Sequence, residues 1–340
     1  MTKPYEVTTI NGLKVALYPI KGFPALKAQL LFHAGSSYEP GNRWGAYHFL
    51  YHLCFEQTKL FPDRTQLELY KEEYGLNSNA STGGDTMDFY TYGPSRSQEQ
   101  ALTLLNELAF NPIFPPSAYD KQVNIITQEI KGYWDKPSFR FGRSIDKQIY
   151  GDNHIYAHDP GGQAEFIATL TQKDLQKIHL AHFKNENALL SLVGEFEPQK
   201  VKVLIEKLFV TSGGLLQPTP NFPTQPQEKL NIHAEEVEQD KISLLWPRPG
   251  FLDIPFIDRQ KFRLGSYILG GSSRSLLNTR LREQLNLVYA TGFSPSTRPH
   301  AGVFEAWAAT TPESTQRAGD ELRQTIYKFL EKPIDNQLFQ

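Results

Sequence analysis

The 340-residue chain has a single cysteine, Cys54. No disulfide can form within it, which excludes a stapled secreted scaffold and fits a reducing or disulfide-indifferent compartment. That thiol lies in an uncharged apolar stretch, where buried packing is the expected role rather than reactivity. Charge of one sign is also missing. Lys and Arg number 35 against 37 Asp and Glu, a net charge of −2, and no basic run offers nucleic acid an electrostatic footprint. No apolar run approaches the roughly 18–20 residues a membrane span requires. The opening "MTKPYEVTTINGLKV" is polar and passes into a strand pattern, so no secretory leader is read and a cytoplasmic location is expected. Gly-x-Ser-x-Gly and Gly-x-x-x-x-Gly-Lys are absent too, which removes a serine-hydrolase elbow and a phosphate loop.

What remains is ordinary globular material. With 39% hydrophobic and 21% charged residues, the chain can build two cored domains. Asn11-Gly12 between "EVTTI" and "LKVALYPI" predicts a tight hairpin. "ALKAQLLFHAG" reads as a third strand, and "MDFYTYG" and "ALLSLVGEF" as further strands. Helices are expected to start at Thr65, at Ser97 with Gln100, at Ser117 with Asp120, and at Thr171 with Asp174. Residues Tyr119, Val123, Ile126, Ile130 and Trp134 recur at helical spacing. Strands and helices alternate irregularly, so the fold class is α+β with mainly antiparallel sheets rather than a doubly wound sheet. The stretch "TSGGLLQPTPNFPTQPQE" breaks the pattern as a linker. Boundaries follow at 1–212 for an N-terminal domain, 213–228 for the linker and 229–340 for a C-terminal domain. The second domain repeats the element order of the first but is much shorter, and is expected to be C-terminally incomplete.

From Trp44 to Phe55 no residue is charged and apolar side chains occupy every face, the pattern of a buried helix. His48 and His52, four apart, lie on one face of it with converging rings. Such a pair suits two ligands of one divalent metal, but it equally suits two core histidines with hydrogen-bond partners. Glu129, beside the apolar stripe of a later helix, is a candidate third ligand or a solvated helix residue. A second pair, His154 and His158, is followed by Pro160 and two glycines, which argue for a loop and against a metal site. "GGSSRS" at 270–275 reads as a connecting turn.

His48-Phe49-Leu50-Tyr51-His52 resembles the inverted His-x-x-Glu-His signature of the pitrilysin/insulinase metallopeptidase family. The surrounding "AGSSYEPGNRWGAYHFLYHLCFEQT" is similar to that family's acidic residue, glycine, histidine motif and following Phe-x-x-Thr. Asn79, Ala80 and Thr82 resemble its Asn-Ala-x-Thr edge strand. Glu129 falls 77 positions after His52, the family spacing for the distal glutamate ligand. Arg282 and Tyr289, seven apart, are similar to the Arg/Tyr pair with which the family holds substrate and the oxyanion. The resemblance spans almost the whole chain, with the motifs in the family's order.

The resemblance implies Zn2+ held by His48, His52 and Glu129, and extended peptide bound as a strand beside Asn79 and Ala80, with Arg282 and Tyr289 contacting it. It also implies a departure. The motif glutamate serves the family as general base, and here that position is Tyr51, whose ordinary pKa near 10 makes it a poor base at neutral pH. A second family acid, seven residues before the distal glutamate, is Gln122. Glu56, one turn beyond His52, is not expected to reach. The expected function is therefore a catalytically impaired, metallopeptidase-like protein that binds extended peptides. It would be the non-catalytic subunit of a homo- or heterodimer whose partner carries an intact motif. An active zinc endopeptidase cutting unfolded peptides, and a metal-free binding or scaffold protein, are the alternatives.

Overall fold

Asn11 and Gly12 adopt left-handed φ values of 49° and 80°, as a two-residue turn between right-twisted strands demands. They join β1 (Glu6–Ile10) to β2 (Leu13–Pro19) in the expected antiparallel hairpin. The computed structural model describes residues 5–39, 43–152, 154–210 and 238–331. The chain continues through β3 (Ala25–Phe32), α1 (Ala46–Cys54), α2 (Arg64–Tyr74), β4 (Asn77–Thr82), β5 (Met87–Pro94), α3 (Gln98–Phe110) and α4 (Pro116–Trp134). After these come α5 (Pro137–Tyr150), α6 (Ala164–Ile167), α7 (Gln172–His182), β6 (Ala188–Gly194) and α8 (Pro198–Leu208). The linker read at 213–228 lies outside the described residues. Beyond it stand β7 (Asp240–Arg248), α9 (Phe256–Gly270), β8 (Ala290–Thr297), β9 (Gly302–Thr310) and α10 (Thr315–Glu331), with a π-helical turn at Asn278–Gln284 before β8.

These elements form two units. The first runs to Lys136 and resumes at His158, while the excursion Pro137–Ala157 packs with the second. The first unit is built on a six-stranded sheet in the order β1-β2-β6-β3-β5-β4. All its pairings are antiparallel except β2 with β6. Leu13, Val15 and Leu17 on β2 alternate with exposed or half-exposed neighbours, as do Leu26, Ala28, Leu30 and Phe32 on β3. One face of the sheet therefore meets the helices, and the core lies between the two layers. At one side of the sheet β4 pairs only with β5 and is an edge strand.

The caps show where local reading held. Thr171 accepts from the Asp174 amide and the Asp174 carboxylate returns the bond, a complete capping box opening α7. At α2 the cap is Asp63, whose carboxylate accepts from the Gln66 amide, and not Thr65. Ser97 makes no cap; its hydroxyl donates to the Tyr74 carbonyl. Pro116, which has no amide hydrogen to leave unpaired, starts α4 in place of Ser117 and Asp120.

The second unit carries an antiparallel sheet in the order β7-β9-β8. Leu269, Leu277, Leu281, Ala306, Ala308 and Leu322 form its main core. A satellite cluster of Ile149, Tyr150, Ile155 and Tyr156 with Ala301 and Val303 explains why α5 belongs here. The order β7-β9-β8 repeats β3-β5-β4 of the first unit, with α9 after β7 as α1 follows β3. No described helix is long and apolar enough to cross a membrane.

Candidate metal centre

Helix α1 starts against a buried carboxylate and a close glycine contact. Glu39 accepts hydrogen bonds from the Gly45 and Tyr47 amides, both at 3.0 Å, satisfying donors that the first turn leaves unpaired. Burial pushes the Glu39 carboxyl up to about 8, while the amides of Tyr47, Gly45 and Ala46 pull it down. Gly45 has a left-handed φ of 95° and packs backbone to backbone on Gly162. A Cβ at Gly162 would lie 2.5 Å from the Gly45 Cα and 2.6 Å from the Trp44 carbonyl oxygen. Only two glycines let these segments approach so closely.

That approach brings the Gly161 carbonyl 3.2 Å from His48 Nδ1. A carbonyl only accepts, so Nδ1 donates and His48 Nε2 keeps its lone pair facing inward. His48 Nε2 lies 3.2 Å from His52 Nε2, and Glu129 Oε2 from α4 lies 3.9 and 3.5 Å from the two nitrogens. Zinc takes nitrogen and oxygen ligands at about 2.0–2.1 Å, which sets ligand atoms of a tetrahedron about 3.4 Å apart. The observed triangle matches that spacing, and the donors are the right types. Among the described residues, this is the cluster of His, Cys, Asp and Glu able to hold a metal ion. A zinc ion held by these three side chains would be available to polarise a small molecule bound beside it. Burial, followed by the neighbouring His48, lowers the His52 pKa to about 4, so its imidazole is neutral and ready to ligate at physiological pH.

Behind the ligands sits a second set of contacts. Gln122, fully buried, stands beside His52 and donates from Nε2 to Glu56 Oε1 at 2.6 Å. Glu56 also receives Lys121 Nζ at 3.1 Å and stands 3.5 Å from Arg64. Its carboxylate is thus committed to three partners and is not one of the clustered ligand atoms, as expected from its place one turn beyond His52. An amide suits position 122 because, unlike a carboxylate, it can donate to Glu56.

Tyr51 does not point at the ligand triangle. Its hydroxyl donates to Asn79 Oδ1 on β4 at 3.1 Å, and burial, then the charge of Glu129, raises its pKa above the ordinary phenol value. Asn79 is exposed and Ala80 buried on that edge strand. Arg282, in the π-helical turn, and Tyr289, just ahead of β8, belong to the second unit and are both exposed. Buried Leu281, Leu287 and Val288 anchor the segment between them, and the Tyr289 amide donates to the Ala309 carbonyl. His158 lies against the Trp44 ring and His154 stacks on Tyr150, in separate units. The Gly161 carbonyl and the Glu56 cluster carried no local signal, since their partners lie 113 and 66 residues away.

Known proteins share this architecture. Residues 18–158 match the family model for insulinase (peptidase family M16), and residues 169–340 the model for the peptidase M16 inactive domain. An "uncharacterized zinc protease" of Rickettsia felis is 28% identical over 335 residues, covering 96% of this chain and 78% of that protein. Zinc protease PqqE of Helicobacter pylori is 25% identical, with 84% of this chain and 65% of that protein covered. A crystal structure of a peptidase M16 inactive domain from Pseudomonas fluorescens superposes with a TM-score of 0.89 at 21% identity, over 98% of this chain and 81% of that one.

Proposed function

We infer, on the premise that this chain belongs to the insulinase family (peptidase family M16), that it keeps the family's metal ligands without its general base. On this reading it binds extended peptide and acts as the non-catalytic subunit of a peptidase pair. One observation carries the proposal. The ligand triangle of His48, His52 and Glu129 has zinc spacing, while the motif position between the histidines holds a phenol committed to Asn79.

Zinc, when bound, supplies Lewis-acid polarisation of a water or a peptide carbonyl. Proton transfer must then come from side chains. Tyr51 with a raised pKa takes no proton at neutral pH. Gln122 is an amide, and Glu56 is held by Lys121, Arg64 and Gln122. Loss of a positioned base costs roughly 10²–10⁴ in rate, so hydrolysis by this chain alone is slow. Arg282 and Tyr289 are intact and exposed, which supports a role in holding peptide for a partner with a complete His-x-x-Glu-His motif.

Reconstitution tests this. The zinc-loaded chain alone should leave a quenched unfolded peptide uncut, and an equimolar mixture with an intact-motif relative should cleave it. Arg282→Ala in this chain should lower the activity of the mixture at least about tenfold. If this chain alone matches the mixture, the subunit reading is wrong and the chain is an endopeptidase in its own right.

A further inference from the structure

The hydroxyl of Tyr51 reaches β4, an edge strand on which a peptide could add. Asn79 Oδ1 accepts that hydroxyl at 3.1 Å and also accepts the Ala80 amide at 2.9 Å. Strand β4 pairs with β5 alone, in a register that sets Asn79 opposite Tyr90 and Ala80 opposite Phe89. In an antiparallel ladder, alternate residues direct both backbone groups away from the partner strand. An amide claimed by the side chain before it is one of these outward groups. The Ala80 N–H is therefore the donor that an added strand would use, and it is already occupied. The ring of Tyr51 is pinned beneath it, with centroids 4.7 Å from His52, 5.7 Å from Phe55 and 6.0 Å from His48. Its hydroxyl is thereby aimed at Asn79 before any ligand arrives.

We propose that Tyr51 is a latch on the peptide-binding edge: its phenol holds the Asn79 side chain over the Ala80 amide, and an incoming strand must displace it. The proposal rests on the reading that extended peptide adds to β4. It gives Tyr51 a role that a glutamate would not fill, because an ionised carboxylate has no proton to donate to Asn79 Oδ1. An unpaired edge is otherwise an aggregation hazard, and a side chain folded over its amide is a means of covering it. The latch is worth one neutral hydrogen bond, so it tunes entry and does not forbid it.

The test uses the full chain and two readouts. Amide hydrogen exchange at Ala80, measured by NMR without peptide, should speed up about threefold or more in Tyr51→Phe, toward the rate in Asn79→Ala. Fluorescence anisotropy with a labelled decapeptide of alternating Val and Thr should show binding about three- to tenfold tighter in Tyr51→Phe than in wild type. The same peptide N-methylated at alternate residues should not bind. Unchanged Ala80 exchange in Tyr51→Phe overturns the latch whatever the peptide does. Faster exchange with no peptide binding to any variant overturns the β4 docking reading itself, and with it the latch as a control of peptide entry.

Discussion

At the scale of single residues, His52 links the metal centre to acid stability. Its pKa in the folded protein is near 4, lowered first by burial, against an ordinary value of 6.5. The unfolded chain takes up a proton at this residue as pH falls through 6.5, whereas the folded chain resists until about pH 4. The stability contributed by neutral His52 is thus complete above 6.5 and is lost as pH falls toward 4. In metal-free protein, the stability difference between wild type and His52→Gln should shrink by about 2 kcal/mol from pH 7 to pH 5, at about 1.36 kcal/mol per pH unit below 6.5. Urea unfolding at the two pH values checks it. A difference that stays constant would mean that His52 titrates alike in the folded and unfolded chains and is not held neutral by its burial. His52 and its partner His48 were legible as a pair from spacing alone, but which reading applied was not. What favours the ligand reading is Glu129 from another helix and the Gly161 carbonyl, both brought in by tertiary packing.

At the scale of elements, α1 is the lever that sets the centre, and Glu39 holds its start. Glu39→Ala would leave the Gly45 and Tyr47 amides buried without an acceptor. Each such orphan costs about 1–3 kcal/mol. The variant should lose stability on that order in urea unfolding and, because both histidines ride on α1, bind zinc more weakly in a chelator competition. Zinc affinity equal to wild type would show that the helix is positioned by its C-terminal half alone. Signals confined to one turn were readable in sequence: the Asn11-Gly12 hairpin and the Thr171 and Asp174 capping box both stand as expected. Caps that depended on the chain elsewhere were not. Ser97 spends its hydroxyl on Tyr74, and Pro115-Pro116 overrides Ser117. The parallel pairing of β2 with β6 joins segments about 175 residues apart, and nothing local announces it.

At the scale of the whole molecule, a repeated plan carries, among the described residues, a candidate ligand cluster on the first unit. The first unit's order, β3, α1, α2, β4, β5 and α3, returns as β7, α9, the π-helical turn, β8, β9 and α10. Helix α9 contains no histidine where α1 has two. This repetition of element order was visible in the sequence because strand and helix periodicities survive divergence. The share of Pro137–Ala157 in the second unit was not, since its apolar residues find Ala301 and Val303 far along the chain. The chain thus has a ligand set on one unit and an exposed Arg282 and Tyr289 on the other, with Tyr51 as the departure on which the functional reading turns.

The most direct test of that reading is peptide hydrolysis by zinc-loaded Tyr51→Glu, assembled with its partner where one is required, beside wild type at equal zinc content. With the ligands intact and a carboxylate restored between the histidines, hydrolysis should rise by about 10²–10⁴ at one zinc per chain in both proteins. A wild type that already cleaves as fast as Tyr51→Glu would contradict the account.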